Sequence, residues 1–310
     1  MDKVAIQNLE ANNQRDLSRL ITKVENDDIT NSLELGKFFQ KSNHAIRIGI
    51  TGPPGAGKSS ITNDLIKYYI KNDQKVGVIA IDPTSPFSGG SLLGDRVRMN
   101  QYHNQENVFI RSMSTHGHLG GLSRKTQDIG DILAITGKDV IIYETVGVGQ
   151  GEYEIANVAD LTIIVLVPEA GDEVQLMKAG LIEIGDIFIV NKSDRAGSEL
   201  LTEKLKSIIN INKDIKRPVY NTIAKEGKGI EELFNGIIYK FKELEKSGNI
   251  SQRKIDRYKV RVKNIIQESL LGKFWTRNKI EKLDLATNSL EDIKKSPIIA
   301  AKEIMESIDL

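Results

Sequence analysis

The sequence predicts an α/β protein with a mainly parallel central sheet flanked by helices. Short runs of almost continuous apolar residues follow one another along the chain, each separated from the next by a longer helix-like or loop-like stretch. The runs cover residues 46–50, 76–81, 108–110, 140–143, 161–167, 187–190 and 219–222. Strands that are apolar throughout, rather than alternating with polar residues, are typical of a parallel sheet buried on both faces.

Helical patterns precede and follow this central part. Residues 4–40 carry apolar side chains at helical spacing and predict an N-terminal helical extension over 1–44. The strand signal stops near Ile230, where a long charged helical region begins that continues to Leu310 with a break at 247–249. The predicted organisation is therefore an extension (1–44), an α/β domain (45–240) and a C-terminal helical region (241–310).

Composition excludes several classes of function. The 310 residues contain 43 Lys and Arg against 42 Asp and Glu, so no overall field attracts nucleic acid or anionic lipid. No cysteine is present, which excludes disulfides, thiolate nucleophiles and cysteine-ligated metal. The apolar runs are far shorter than the ~20 residues of a membrane span, and the first residues resemble neither a signal nor a transit peptide. We expect a cytoplasmic protein that binds neither nucleic acid nor membrane.

The first chemical motif lies directly after the first apolar run. It reads Gly52-Pro53-Pro54-Gly55-Ala56-Gly57-Lys58-Ser59 and fits the G-x-x-x-x-G-K-[ST] pattern between a strand and a helix. The backbone N–H groups of such a loop surround a phosphate group, and the helix N-terminus adds partial positive charge. Lys58 would contact the β- and γ-phosphates and Ser59 would bind Mg²⁺, and we place Ser60 in the same nucleotide-binding segment.

The second motif, Asn191-Lys192-Ser193-Asp194, follows the run 187–190. A carboxylate at this place can accept hydrogen bonds from the guanine N1–H and exocyclic amine, a donor pair that adenine lacks. An Asp194 buried against adenine would be left unpaired. The motif therefore favours GTP over ATP.

A third motif, Glu144-Thr145-Val146-Gly147-Val148-Gly149-Gln150, follows the run 140–143. An acidic residue at the end of a buried strand beside the phosphate loop is a place where Mg²⁺ is held. The Gly147 N–H is positioned in sequence to sense the γ-phosphate. The alternative, a dinucleotide-binding glycine motif, belongs at the first strand-to-helix turn, which the phosphate loop already occupies.

Two further segments carry polar residues among glycines. Asp82 follows the run 76–81, and Asp95 lies in the glycine-containing segment 89–98. We interpret this part as a mobile segment that orders over nucleotide and metal, the alternative being a charged surface loop. His116 and His118 are spaced as half a metal site, but we favour a glycine-rich loop there.

These motifs, in this order, resemble the methylmalonyl-CoA mutase-associated GTPase family, whose members are also labelled ArgK-like. The resemblance is carried by residues 52–60, 82–99, 117–123, 144–152, 168–186 and 191–194. The resemblance covers roughly residues 5–235. The combination of the segments ETVGVGQ and GDEVQLMKAG is almost specific to this family. The C-terminal part matches in length and helical character.

The resemblance implies a P-loop GTPase that acts as chaperone of an adenosylcobalamin-dependent acyl-CoA mutase. Such proteins dock on the mutase, gate cofactor delivery, and protect or reactivate the mutase at the expense of GTP. Members are commonly homodimers held by C-terminal helices, which gives residues 241–310 a dimerisation role. The implied cofactor is Mg²⁺ with GTP or GDP. The alternative is a nickel metallochaperone-type maturation GTPase, which the missing cysteines and His-rich tail disfavour.

The resemblance also assigns roles to individual residues. The catalytic set is Lys58, Arg98 and Glu144, with Arg98 as a switch arginine. The metal and switch set is Ser59, Asp82, Asp95 and Glu144. The last guanine-binding loop corresponds to Ile223-Ala224-Lys225, where the Ala224 N–H is left free to meet the guanine oxygen.

Overall fold

The computed structural model describes residues 14–25, 39–83, 102, 105–115, 124–145, 147, 151–168, 180–209, 217–287, 289, 293 and 296–305. Its strands form a single seven-stranded sheet in the order β3-β2-β4-β1-β5-β6-β7. They are β1 (Ile46–Thr51), β2 (Val76–Pro83), β3 (Val108–Thr115), β4 (Val140–Thr145), β5 (Leu161–Leu166), β6 (Ile187–Asn191) and β7 (Val219–Thr222). Each strand pairs in parallel with its neighbours, so the predicted fold class is confirmed.

Helices cover the sheet and continue beyond it. They are α1 (Gln14–Glu25), α2 (Lys58–Lys71), α3 (Arg124–Ile135), α4 (Gly151–Glu154), α5 (Leu181–Ile184), α6 (Ser198–Ile209), α7 (Ile230–Lys246), α8 (Asn249–Phe274), α9 (Arg277–Leu285) and α10 (Pro297–Met305). The helices α7 and α8 are separated by Ser247 and Gly248, at the predicted break. Among the described residues, no helix is long and apolar enough to span a membrane.

Several strands continue beyond their apolar runs. The run predicted at 108–110 is the first part of β3, which pairs with β2 as far as Thr115. Backbone hydrogen bonds define a strand, and they continue through the polar residues at its end. These extra residues extend the strands to the edge of the sheet where the motifs identified in the sequence begin.

The apolar core lies on both faces of the sheet. Because successive side chains of a strand point to opposite faces, a continuous apolar run supplies two cores. On one face the strands pack against α2 and α7, with Ile48, Ile50, Ile142, Ile61, Leu65, Leu233 and Phe234 among the buried residues. On the other face they pack against α1 and α3, with Ile79, Ile141, Tyr143, Leu20, Ile21, Val24, Ile129 and Leu133 buried. A third cluster joins β5 and β6 to α6.

Charged groups fix the start of α8 to the amino ends of the strands. The Arg253 guanidinium donates two hydrogen bonds to the Asp186 carboxylate, at 2.7 and 2.8 Å, and one to Asp160 O at 2.7 Å. The Asp160 carboxylate in turn accepts a hydrogen bond from Arg47 N at 3.0 Å. This network lies at the edge of the sheet opposite to the phosphate loop.

The chain divides into two compact units, Met1–Lys254 and Ile255–Leu310. The first unit contains the sheet and the helices that cover it. Within this unit, α7 is continuous through residues 240 and 241, and its Leu244 is buried in the core. The second unit is helical where the structure describes it. The predicted domain limits at 44/45 and 240/241 stay predictions.

Candidate functional site

Loops at the carboxyl ends of β1, β4, β6 and β7 lie together at one edge of the sheet. The strand order places β1 between β4 and β5, with β6 and β7 beyond β5. Parallel strands end at a common edge, and ligands of open α/β sheets bind there. The phosphate loop and the segment 223–225 follow these strand ends, and Glu144 and Asn191 are among the last residues of β4 and β6.

Residues 52–57 form the loop between β1 and α2. Gly57 ends the loop with a left-handed backbone, φ 92°, and caps the helix that starts at Lys58. A Cβ atom at Gly57 would lie 2.2 Å from Asn191 Nδ2, so glycine alone fits there. The amino end of α2, with its partial positive charge, faces this loop. Pro54, Gly55 and Ser60 are exposed. The arrangement suits a phosphate group.

The Lys58 side chain folds along the loop. Its Nζ atom donates hydrogen bonds to the carbonyl oxygens of Gly52 and Pro53, at 2.8 and 2.9 Å. Only 5% of Lys58 is exposed, so its ammonium group is withdrawn from bulk solvent. A cation held at low exposure beside a helix N-terminus attracts a phosphate oxygen more strongly than a surface lysine does.

Ser59 and Glu144 are in contact in the buried part of the site. The Ser59 hydroxyl donates to Glu144 Oε1 at 2.5 Å, and the two residues are 7% and 3% exposed. A hydroxyl and a carboxylate are oxygen ligands of the kind that Mg²⁺ prefers. The two residues that sequence reasoning assigned to metal are therefore in contact across 85 positions of the chain.

Gly147 lies directly against the phosphate loop. It is buried, has φ 91°, and a Cβ atom there would lie 2.1 Å from Gly52 O and 2.7 Å from Lys58 Nζ. A side chain at this position would displace the loop and its lysine. The backbone of Gly147 is thus in place beside the group that is predicted to hold the terminal phosphate.

A pair of threonines connects the same two loops. Thr145 Oγ1 donates to Thr51 Oγ1 at 2.8 Å, and both side chains are buried. Thr51 is the last residue before the phosphate loop, and Thr145 precedes the segment containing Gly147. No sequence pattern indicates these threonines, because threonine at a strand end is common and the pairing depends on the register of β1 with β4.

The side chain of Asn191 forms hydrogen bonds to three other segments of the protein and is not exposed to a nucleotide base. Its Nδ2 atom donates to Ala56 O at 2.8 Å, and its Oδ1 atom accepts from Thr222 Oγ1 and Ala224 N at 3.0 and 3.1 Å. With 2% exposure, the residue is enclosed by these partners. The geometry makes Asn191 a connection between the phosphate loop and the loop after β7.

The structure corrects the expectation that the Ala224 N–H is free. That N–H donates to Asn191 Oδ1, so a guanine oxygen would have to share or replace this acceptor. Ile223 N donates to Lys228 O at 3.0 Å, which closes the loop 223–228 at its base. Lys225 is exposed on the same loop. The correction follows from the length of the Asn191 side chain, which reaches across from β6.

Lys192 and Asp194 lie on a tight exposed turn after β6. Lys192 has a left-handed backbone, φ 57°, and Arg195 N donates to Lys192 O at 3.0 Å. Asp194 is exposed. Lys228 lies on the neighbouring loop, where a hydrogen bond to Glu226 raises its pKa and the charge of Asp194 contributes more weakly. A carboxylate on this turn is open to a ligand from solvent.

Some predicted site residues fall outside this description. Arg98, Asp95, His116 and His118 lie outside the described residues, and so does the side chain of Asp82, whose backbone pairs with Ser114 of β3 near the end of β2. Among the residues that are described, no group of three or more His, Asp or Glu side chains gathers as a metal site.

Comparisons with known proteins agree with this geometry. Residues 17–279 match the family described as methylmalonyl-CoA mutase-associated GTPase MeaB. A Pyrococcus horikoshii protein named as a GTPase is 45% identical over 267 residues, which is 84% of each chain. The mouse protein named methylmalonic aciduria type A homolog, mitochondrial, is 34% identical over 271 residues, covering 84% of this chain and 65% of its own.

A solved structure shares the whole fold. The crystal structure of an LAO/AO transport system kinase superposes with a TM-score of 0.69 at 23% identity, and the match covers 99% of this chain and 98% of that one. This likeness supports the architecture of the sheet and its helices.

Proposed function

The chain belongs to the methylmalonyl-CoA mutase-associated GTPases, and from that premise we propose that it is the GTP-hydrolysing chaperone of an adenosylcobalamin-dependent acyl-CoA mutase. The observation that supports this most is the edge of the sheet where a phosphate loop, a hydroxyl–carboxylate pair and a base-recognition turn converge. The mouse relative, whose name refers to methylmalonic aciduria, supports the assignment to mutase metabolism.

GTP binds across this edge in our proposal. The phosphates lie in the loop 52–57 and against the amino end of α2, where Lys58 exchanges its carbonyl partners for β- and γ-phosphate oxygens. The guanine base lies at the turn that carries Asp194, beside the loop whose Ala224 N–H donates to Asn191 Oδ1. Asn191 holds both parts of the site at a fixed separation.

The residues present fit a magnesium ion. Ser59 Oγ and Glu144 Oε1 are oxygen donors in direct contact at the predicted position, and Glu144 is held at the end of a buried strand. Asp82 and Asp95 complete the metal and switch set in this proposal. When bound, Mg²⁺ offsets the negative charge on the β- and γ-phosphate oxygens.

Hydrolysis in this proposal relies on positioning. Lys58 stabilises the charge that develops on the transferred phosphoryl group, and the Gly147 N–H contacts the γ-phosphate. Arg98 comes to the phosphates from the segment after β2 as the switch arginine. Binding of the mutase holds Arg98 against the phosphates, so that the rate of GTP hydrolysis depends on whether the mutase is bound.

A homodimer is the assembly we propose, held by the second unit. Within that unit, α8 exposes apolar side chains at spacings of three and four residues, namely Ile255, Tyr258, Val262 and Ile265. Such spacing places them along one stripe of the helix, which is the pattern of a helix–helix seam. The cytoplasmic location expected from the sequence belongs to the same proposal.

A pull-down tests the proposed partner. The full chain is immobilised, loaded with GDP or with a non-hydrolysable GTP analogue, and exposed to a purified adenosylcobalamin-dependent acyl-CoA mutase from the same organism. We expect nucleotide-dependent retention of the mutase, and transfer of adenosylcobalamin to the apo-mutase that depends on the bound nucleotide. Absence of mutase retention with either nucleotide would overturn the proposal.

A further inference from the structure

The amino end of α6 holds the turn that carries Asp194. The hydroxyl of Ser198, the first residue of α6, donates to Ser193 O at 2.8 Å. On its other side, Ser193 N donates to Thr222 O at 3.1 Å. Both polar backbone groups of the residue before Asp194 are therefore fixed by partners outside the turn.

These bonds fix the backbone from which the Asp194 side chain extends. The carbonyl of Ser193 belongs to the peptide plane that also contains the Asp194 nitrogen, so a hydrogen bond to this carbonyl fixes the orientation of that plane. Asp194 is exposed, and its position follows from the backbone of its turn. Ser198 is 7% exposed, which shields its hydrogen bond from competing water.

The Thr202 hydroxyl, one turn further along α6, contacts the backbone carbonyl of Ser198. Thr202 Oγ1 lies 2.8 Å from Ser198 O and 2.8 Å from Asn221 Oδ1, and the residue is 4% exposed. Asn221 is in β7, directly before the residue whose carbonyl accepts the Ser193 N–H. The first turn of α6 thus connects the turn after β6 with the strand that leads to the Ala224 loop.

We propose that Ser198 is a positioning residue for base selectivity, with Thr202 supporting it from the next turn of the helix. The inference rests on the proposed recognition of guanine by Asp194 and extends it to residues that never touch the nucleotide. Removing the Ser198 hydroxyl releases the peptide plane before Asp194. The carboxylate then meets the exocyclic amine of guanine less well, while the phosphate contacts at the opposite end of the site persist.

GDP and IDP separate these effects, because they differ in the exocyclic amine alone. Affinities of both nucleotides are measured by calorimetry for the wild type, Ser198→Ala, Ser198→Thr and Thr202→Val. Ser207→Ala is the matched control, since Ser207 lies on the same helix and donates to Lys204 O at 2.8 Å in an exposed place. Thermal unfolding of each variant monitors the fold.

We expect the wild type to bind GDP about tenfold or more tightly than IDP, as a charged hydrogen bond implies. In Ser198→Ala this ratio should fall by roughly fivefold, because GDP loses its N1–H and amine bonds to Asp194 while IDP, which lacks the amine, loses only the N1–H bond. Ser198→Thr should restore the ratio, Thr202→Val should lower it less, and Ser207→Ala should leave it intact. Equal losses for GDP and IDP in Ser198→Ala, or an unchanged ratio, would overturn this inference alone. Absence of a GDP preference in the wild type would overturn the guanine assignment and this inference with it.

Discussion

Asn191 and Ala56 are 135 positions apart in the sequence and are joined by a hydrogen bond of 2.8 Å from side-chain amide to backbone carbonyl. Through its other side-chain atom, Asn191 also accepts the Ala224 N–H. One buried amide therefore connects the segment predicted to hold phosphates with a segment predicted to hold the base. The distance between the two halves of the site depends on this residue.

Replacement of Asn191 tests this connection. Asn191→Ala removes the side-chain amide and leaves its buried hydrogen-bond partners unsatisfied. We expect a loss of about 2 kcal/mol or more in the free energy of unfolding. Because both halves of the site lose their common support, GDP affinity should fall by at least about tenfold. Denaturant unfolding and calorimetry measure the two effects. The control is Asn72→Ala, which removes an exposed hydrogen bond to Tyr68 O and should cost less than about 0.5 kcal/mol. An effect of Asn191→Ala no larger than that of the control would contradict the bridging role.

Lys58 should be needed for hydrolysis and not for folding. Its ammonium group contacts carbonyl oxygens of the phosphate loop rather than the apolar core. We expect Lys58→Ala to lower single-turnover GTP hydrolysis by about a hundredfold or more, with an unchanged circular dichroism spectrum. Lys67→Ala is the control on the same helix, because that lysine is exposed and pairs with Asp64 at 2.7 Å. Hydrolysis by Lys58→Ala within a few-fold of the control would exclude the phosphate role.

Asp194 should decide which base is bound. A carboxylate that pairs with the guanine N1–H and amine contributes on the order of 2–3 kcal/mol. Asp194→Asn should lose this much GTP affinity and should prefer xanthine nucleotides, whose base offers an acceptor where guanine offers a donor. Titrations with labelled GTP, XTP and ATP measure the change. Glu203→Gln, at an exposed position of α6, serves as control. Equal affinity of the wild type for GTP and ATP would refute the guanine assignment.

Lys138 should make stability depend on pH. Burial, and more weakly the charge of Lys75, lowers the pKa of Lys138 from its usual 10.5 to about 8. Its ammonium group donates to Glu106 O at 3.1 Å near the amino ends of the strands. Between pH 8 and pH 10.5 the unfolded chain keeps this proton and the folded chain does not, so the contribution of Lys138 to stability rises with pH in that window.

Comparison with Lys138→Met isolates this contribution. The wild type should gain stability relative to Lys138→Met as the pH rises from about 7.5 to 10, because the variant has no proton to lose there. Urea unfolding at several pH values gives the difference directly. A difference that stays constant over this range would show that the pKa of Lys138 is the same in both states.

The sequence predicted the sheet and the phosphate loop because both leave local signals. Continuous apolar runs mark strands with two buried faces, and the glycine pattern before Lys58 marks a loop that wraps a phosphate. Contacts between distant segments leave no such signal. The Thr51–Thr145 pair depends on strand register, and the Ser198–Ser193 bond depends on the shape of one turn. The bridging role of Asn191 was missed for the same reason, since a motif gives residue types and not the partners that folding supplies.

The isolated chain should hydrolyse GTP slowly. In Ras-like GTPases a glutamine directly after the switch glycine positions the attacking water, and this chain has Val148 there, an apolar side chain that cannot do so. We therefore expect the mutase to accelerate hydrolysis by holding Arg98 at the phosphates. A stabilising arginine contributes roughly a thousandfold in GTPases.

Single-turnover GTP hydrolysis with and without the mutase, on the wild type and on Arg98→Ala, tests the central claim of a mutase-coupled GTPase most directly. The proposed function predicts slow hydrolysis by the wild type alone, clear acceleration on addition of the mutase, and loss of most of that acceleration in Arg98→Ala. A wild-type rate that the mutase leaves unchanged would contradict the coupling. Equal acceleration of Arg98→Ala and the wild type would contradict the role of the switch arginine.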